Sequence, residues 1–266
     1  MLTPLVTFLS DFGTADWFVG VVHGVLHEIC PGVRIVDLTH HIPPGDIERA
    51  AFVLEAATPD FGAGTIHLVV VDPGVGTGRR AIAVRARDHV FVGPDNGVLE
   101  WALSAPDAEV REVTDVKLFR HPVSRTFHGR DVFAPVAAHL ASGLKFESIG
   151  PVAELPLRLT VQTPRTVNGE LVGRIMFVDR FGNLLTNLTE HHLAERFPNA
   201  APEQFEVEAA GYVIRGLARA YADAPVGSTV AILDSSGRLE IAQVRGDASQ
   251  RLGLSARDDV RVRLRR

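Results

Sequence analysis

The sequence is poor in several things. It has a single cysteine, Cys30, in 266 residues, so no disulfide framework can form within the chain and a reducing, cytoplasmic setting is expected. No apolar run approaches the roughly 18 residues that a membrane span needs. The opening stretch, MLTPLVTFLSDFG, has no basic leader, and its apolar segment is too short for a signal peptide. Basic residues are in the minority: 27 Lys and Arg against 32 Asp and Glu leave a net charge of −5, which argues against a nucleic-acid partner, since such proteins carry a basic face. There is no internal repeat and no low-complexity tract. What remains is a globular composition, long enough for one large domain or two modest ones.

Two periodicities alternate over the first 150 residues. LVTFLS, RIVDL, TIHLVVV, AIAVRA and HVFVG are short and β-branched, as buried strands are. Helical patterns lie between some of them. In DWFVGVVHGVLHEICPG, Phe18, Val22, Val25 and Ile29 recur at helical spacing, with Asp16 as a cap and Pro31-Gly32 as the stop. GDIERAAFVLEAA repeats the device behind Asp46, and RDVFAPVAAHLASG repeats it between Asp131 and Gly143. Strands alternating with helices imply an α/β layer with a largely parallel sheet. QTPRTVNGELVG, rich in turn formers and without apolar periodicity, reads as a linker. Beyond it strands dominate, in LVGRIMFVD, QFEVEAA, TVAILDSSGRLEIAQV and DVRVRLRR, with one short helix in EHHLAERF. The expected division is an α/β domain over 1–162 and a smaller antiparallel β domain over 163–266.

VVVDPGVGTGRR, residues 69–80, resembles a phosphate loop at first sight. A phosphate loop needs a Lys after its last glycine and a helix beyond it; here AIAVRA follows, a strand pattern, and the G-x-G-x-x-G spacing also fails. What is left is an acid, Asp72, at the C-terminal end of an apolar strand, then a tight glycine turn and Arg79. Open α/β sheets bind ligands outside such strand ends. Asp11 repeats the arrangement in LSDFG, and RTFHGRDVF places His128 and Asp131 at the mouth of a helix. Strand-end acids with a nearby His and Arg are what a polar catalytic cleft requires. In VDRFGNLLTNL, an Asn amide suits a purine edge and Phe181 suits its face.

A metal site is the rival reading. His23 and His27 stand four apart on a helical pattern, with His40 and His41 further on, but the position after His23 is Gly24 where a zincin has Glu. Asp11, Asp72, His128 and Asp131 are a second possible ligand set.

Seven segments, SDFGTADWFVG, IVDLTHHIPPGDIERAAFVL, VVVDPGVGTGRRAIAV, FVGPDNGVLEW, TFHGRDVFAPVAAHL, DRFGNLLTN and SSGRLEIA, follow in order from about residue 7 to residue 255. In them the chain resembles the S-adenosyl-L-methionine hydroxide adenosyltransferases, relatives of the fluorinases and chlorinases that hydrolyse S-adenosylmethionine to adenosine and L-methionine. The resemblance implies a Rossmann-like α/β N-terminal domain, a C-terminal β domain, and a homotrimer. Each active site then lies where the N-terminal domain of one subunit meets the C-terminal domain of the next. It implies catalytic roles for Asp72, Arg79 and His128, a diol-binding role for Asp11, and a ribose pocket lined by Thr126 and Phe127. Asp179 and Ser235 would grip the methionine end, and Asn183 the adenine edge, with Phe181 and Tyr221 against its face. No cofactor and no metal is implied, only the substrate.

The chemistry suits these residue types. A sulfonium already makes methionine a good leaving group, so the demand is for a nucleophile at the ribose C5′. Arg79 can favour hydroxide by its charge, and Asp72 and His128 can orient it and take its proton; which of the two takes it stays open in the sequence. The halogenases differ: by resemblance, the fluorinase has a Tyr at the place of Asp72 and a halide-binding Ser at the place of Gly129, and a halogenase Trp matches Gly45. Its insertion is absent from AIAVRARDHVFVG. A charged Asp72 should repel halide. The competing readings are a metal-dependent phosphoesterase and a non-catalytic S-adenosylmethionine or adenosine binder.

Overall fold

The computed structural model describes residues 3–160 and 163–265. The chain divides into two compact units, Met1–Thr160 and Val161–Arg266. The expected boundary between 162 and 163 touches residues outside the described ones, as does the first residue of the expected linker.

In the first unit, β1 (Leu5–Ser10), α1 (Phe18–Ile29), β2 (Arg34–Thr39), α2 (Ile47–Ala57) and β3 (Ile66–Val70) alternate as the periodicity suggests. β4 (Ala81–Ala86), β5 (His89–Pro94), α3 (Glu100–Leu103) and β6 (Glu109–Glu112) follow. A π-helical turn over Gly129–Phe133 then runs into α4 (Ala134–Ala141). The sheet order is β2-β1-β3-β5-β4-β6. β1 pairs in parallel with β2 and β3, and β3 with β5, but β4 runs antiparallel to both β5 and β6. The sheet is therefore mixed rather than largely parallel. The reason is local: Arg87 and Asp88, both at positive φ, turn β4 straight back into β5 as a hairpin, with no helical crossover between them.

β3 is buried at every position because helices cover both faces. Leu68 and Val70 pack with Val22 and Leu26 of α1 and Val136 of α4; Val69 and Val71 pack with Leu54 of α2 and Ala102 of α3. Fixed from both sides, β3 holds its C-terminal end, and Asp72 beyond it, in place. Two expected caps differ. α1 begins after Trp17 with no side-chain cap, and Asp16 is exposed. Asp131 lies inside the π turn, where its carboxylate accepts from Ser124 N at 2.8 Å and from Arg130. Asp46 does cap α2, accepting from Arg49 N at 3.0 Å.

The second unit is antiparallel. β7 (Arg165–Val167), β8 (Glu170–Val178) and β9 (Leu184–Thr189) precede α5 (Glu190–Arg196); then come β10 (Phe205–Ala209), β11 (Tyr212–Arg215), β12 (Thr229–Leu233), β13 (Arg238–Gln243), α6 (Ala248–Leu252) and β14 (Asp259–Leu264). They form one sheet, β11-β10-β14-β8-β9-β13-β12, with β7 on β8. The expected linker is thus partly a hairpin: Asn168 and Gly169, both at positive φ, join β7 to β8. Ile175, Leu184, Leu239, Ile241, Val260 and Val262 centre the core. Among the described residues no helix is long and apolar enough to cross a membrane.

Candidate active site

Asp72 leaves β3 with its side chain only 6% exposed, and Arg79, 9% exposed, meets it across the glycine turn. Arg79 Nε lies 2.8 and 3.0 Å from the two Asp72 oxygens, and Arg79 Nη2 donates to Oδ2 as well, so the contact is bidentate. The same Nη2 donates to His128 Nδ1 at 2.8 Å, and the guanidinium sits 4.9 Å above the Phe133 ring. The turn that allows this depends on Gly76. Its φ is +77°, and a Cβ there would lie 2.3 Å from the Arg125 carbonyl oxygen, so only glycine lets the loop close onto the segment carrying His128.

Burial is the main cause that pushes the His128 pKa below the ordinary imidazole range; the Arg79 charge adds to it, and Asp72 and Asp131 oppose it. The ring is therefore neutral near pH 7. With Nδ1 accepting from Arg79, its proton is at Nε2.

Asp11 follows β1, the neighbour of β3, and its Oδ2 accepts from Gly45 N at 2.8 Å. Gly45 in turn approaches Pro73, beside Asp72: a Cβ built on Gly45 would lie 3.5 Å from the proline Cβ. Phe127 packs edge-on against Phe12 and Phe18, with centroids 5.8 and 5.3 Å away. Thr126 is exposed beside it, its Oγ1 3.2 Å from Ser124 Oγ. The structure thus gathers Asp11, Asp72, Arg79, Phe127 and His128 at the C-terminal ends of β1 and β3. Gly129 is tight: a Cβ would meet Val70 at 3.1 Å and Phe12 at 3.2 Å, leaving little space for serine without a shift.

In the second unit Asp179, Phe181, Asn183 and Tyr221 line one cavity of about 660 Å³ with residues 243–246. Asp179 shapes its rim by accepting from the backbone N–H groups of Phe181 and Asn183, both at 2.8 Å, and from Asn183 Nδ2 at 3.0 Å. Phe181 is 75% exposed, an open ring of the kind a planar ligand covers. Tyr221 donates its hydroxyl to Glu240 Oε1 at 2.7 Å. Burial raises the Glu240 pKa; Asp179 and Asp234 raise it further, against the Tyr221 hydrogen bond. Ser235 is exposed in the β12–β13 turn and does not line this cavity.

The two expected metal sets fare differently. Asp72 and Asp131 are each paired with a guanidinium, and His27 is exposed outside any cluster. Among the described residues the one group of three convergent metal-type side chains is His23, Asp37 and His40.

Residues 6–150 match the family model described as SAM hydroxide adenosyltransferase N-terminal domain, and residues 173–261 match the corresponding C-terminal domain. The chain belongs to the SAM hydroxide adenosyltransferase family. A curated relative named (R)-S-adenosyl-L-methionine hydrolase, from Thermus thermophilus, is 42% identical over 97% of this chain and 98% of its own. A fluorinase from Actinoplanes sp. is 30% identical over 70% of this chain and 72% of its own. The crystal structure of an uncharacterized conserved protein from Thermotoga maritima superposes with a TM-score of 0.91 at 38% identity, covering 97% of this chain and 99% of that one.

Within this member of the family, sequence reasoning missed Gly45 as a donor to Asp11, although its place after Pro43-Pro44 marks a turn. It also missed Glu240, which reads as an ordinary alternating strand position until β13 is paired and its carboxylate is found 4% exposed under Tyr221.

Proposed function

We propose that this protein hydrolyses S-adenosyl-L-methionine to adenosine and L-methionine by in-line attack of water on the ribose C5′. The observation that carries the reading is the partly buried Asp72–Arg79–His128 network at the end of β3. Arg79 stabilises the developing hydroxide. His128, neutral and with its free ring atom protonated, donates to the nucleophile and orients it. Asp72 is left as the group that takes the proton. The C5′–O bond forms as the C5′–S bond breaks, the electron pair goes to sulfur, and the proton passes to Asp72 and then to solvent. Asp11 takes the ribose hydroxyls between Thr126 and Phe127. Asn183, Phe181 and Tyr221 hold adenine, and Asp179 holds the methionine end with Ser235. The Asp179 carboxylate at the cavity rim favours a cationic substrate.

The site residues fall in two groups, one in each unit; the resemblance to the family extends the proposal to a homotrimer in which the N-terminal unit of one subunit and the C-terminal unit of the next complete each site. The single buried thiol suits the cytoplasm. No cofactor enters the scheme, and the charge of Asp72 and the crowding at Gly129 disfavour halide as nucleophile. The test is chromatography of products after incubation with S-adenosylmethionine, with EDTA and chloride in parallel arms. Adenosine and methionine are expected in all arms; intact substrate, or a 5′-halo-adenosine in place of adenosine, overturns the proposal.

A further inference from the structure

His23 on α1, Asp37 on β2 and His40 just beyond β2 converge from separate elements until one ligand atom of each lies within 4.8 Å of the others. His23 Nε2 is 2.8 Å and His40 Nε2 is 3.0 Å from the same oxygen, Asp37 Oδ1. None of the three takes part in the proposed hydrolysis.

His40 is the informative member. Its ring is 4% exposed, packed edge-on to Phe8 at 4.7 Å, and its Nδ1 is fixed 2.8 Å from Ser10 Oγ. Yet its buried Nε2, close as it is to Asp37, makes no aligned hydrogen bond. Ser10 Oγ accepts from Phe12 N at 3.3 Å and holds the His40 ring through Nδ1, the direction of that bond following the imidazole tautomer. With Asp37 Oδ1 at 3.0 Å but no hydrogen bond made to it, the buried Nε2 keeps a coordination direction that a cation in the cluster would fill. An imidazole anchored through Nδ1, with Nε2 beside a carboxylate and a second imidazole, is the arrangement by which proteins orient metal-binding histidines.

We infer that His23, Asp37 and His40 bind one divalent transition-metal ion of the zinc type. Two imidazole nitrogens and one carboxylate oxygen, with water as fourth ligand, suit a borderline ion that accepts tetrahedral geometry. Ligand atoms about 2 Å from such an ion stand about 3.3 Å apart, so Asp37 has to swing outward by roughly half an ångström to admit it. It has the freedom: its side chain is 39% exposed and that of His23 is 30% exposed, which also leaves the water position open. Phe8 lies beneath both rings as an apolar floor.

The alternative is an ordinary ion pair between Asp37 and a protonated His23, with His40 as packing. The two are separated by stripping the full-length protein with EDTA, desalting it, and titrating with Co²⁺ while following visible absorption, then adding Zn²⁺. One tetrahedral Co²⁺ per chain, displaced by Zn²⁺, is expected. His23→Ala and Asp37→Asn, at exposed positions that should not disturb folding, are expected to weaken binding at least tenfold, and Ser10→Ala by ~10–100-fold. His191→Ala, on an exposed histidine elsewhere, is expected to bind as wild type does. Absence of saturable binding, or binding undiminished by both His23→Ala and Asp37→Asn, overturns the inference.

Discussion

Arg79 holds an acid and an imidazole with one guanidinium, and that double contact decides what each neighbour can do. Its fork meets Asp72 through Nε and Nη2, and the same Nη2 occupies His128 Nδ1. A lysine offers a point charge, not a planar fork, so it cannot serve both. Arg79→Lys is therefore expected to lower kcat by at least ~10², with the larger share of the loss in kcat rather than KM. Asp72→Asn keeps the shape and removes the proton acceptor, which is expected to cost ~10²–10⁴ in kcat. Steady-state kinetics on both variants, with circular dichroism to show that they fold, check this. An Asp72→Asn enzyme within a few-fold of wild type would remove the carboxylate from the proton transfer.

At the scale of elements, β1, β3 and β5 bury a histidine pair that bears on stability rather than chemistry. His67 on β3, fully buried, has Nδ1 2.7 Å from Thr7 Oγ1 on β1 and Nε2 3.4 Å from His89 Nδ1 on β5. Burial, aided by His89, lowers the His67 pKa to about 3. The sign follows: below about pH 6.5 the unfolded chain takes a proton that the folded one refuses, so stability present at neutral pH is lost as pH falls, by about 1.4 kcal/mol per unit for this one group. The urea midpoint is expected to drop between about pH 7 and about pH 5, and to drop less in His67→Gln; an equal drop in that variant would place the acid sensitivity elsewhere. None of this was legible in TIHLVVV, where His67 reads as one polar residue in a strand, because the pairing of β3 with β5 is not a local property. The strand-end acids Asp11 and Asp72 were legible, since each closes an apolar run. Asp131 misled because an acid just ahead of a helical pattern looks like a cap, and the π turn that swallows it has no sequence period of its own. The Asn168-Gly169 hairpin misled for the opposite reason: its turn signal is strong, but β7 is only three residues long and carries no apolar alternation.

For the whole molecule, the distribution of the site residues over two units turns the proposed assembly into an arithmetic question. Asp11, Asp72, Arg79 and His128 belong to the first unit, and Asp179, Phe181, Asn183 and Tyr221 to the second. If one subunit supplies the first set and its neighbour the second, two inactive proteins can repair one another. Asp72→Ala leaves an intact second set, and a Phe181→Ala/Asn183→Ala protein leaves an intact first set. Every mixed cyclic trimer, two chains of one kind and one of the other, then carries an intact pair at about one site in three, so co-expressed, differently tagged chains purified as mixed assemblies are expected to recover about a third of wild-type activity. Sites completed within a single chain give no recovery in any mixture, because every chain then carries its own lesion. Trimeric mass by light scattering without recovery would retain the assembly and discard the shared site, and a monomeric mass would discard both.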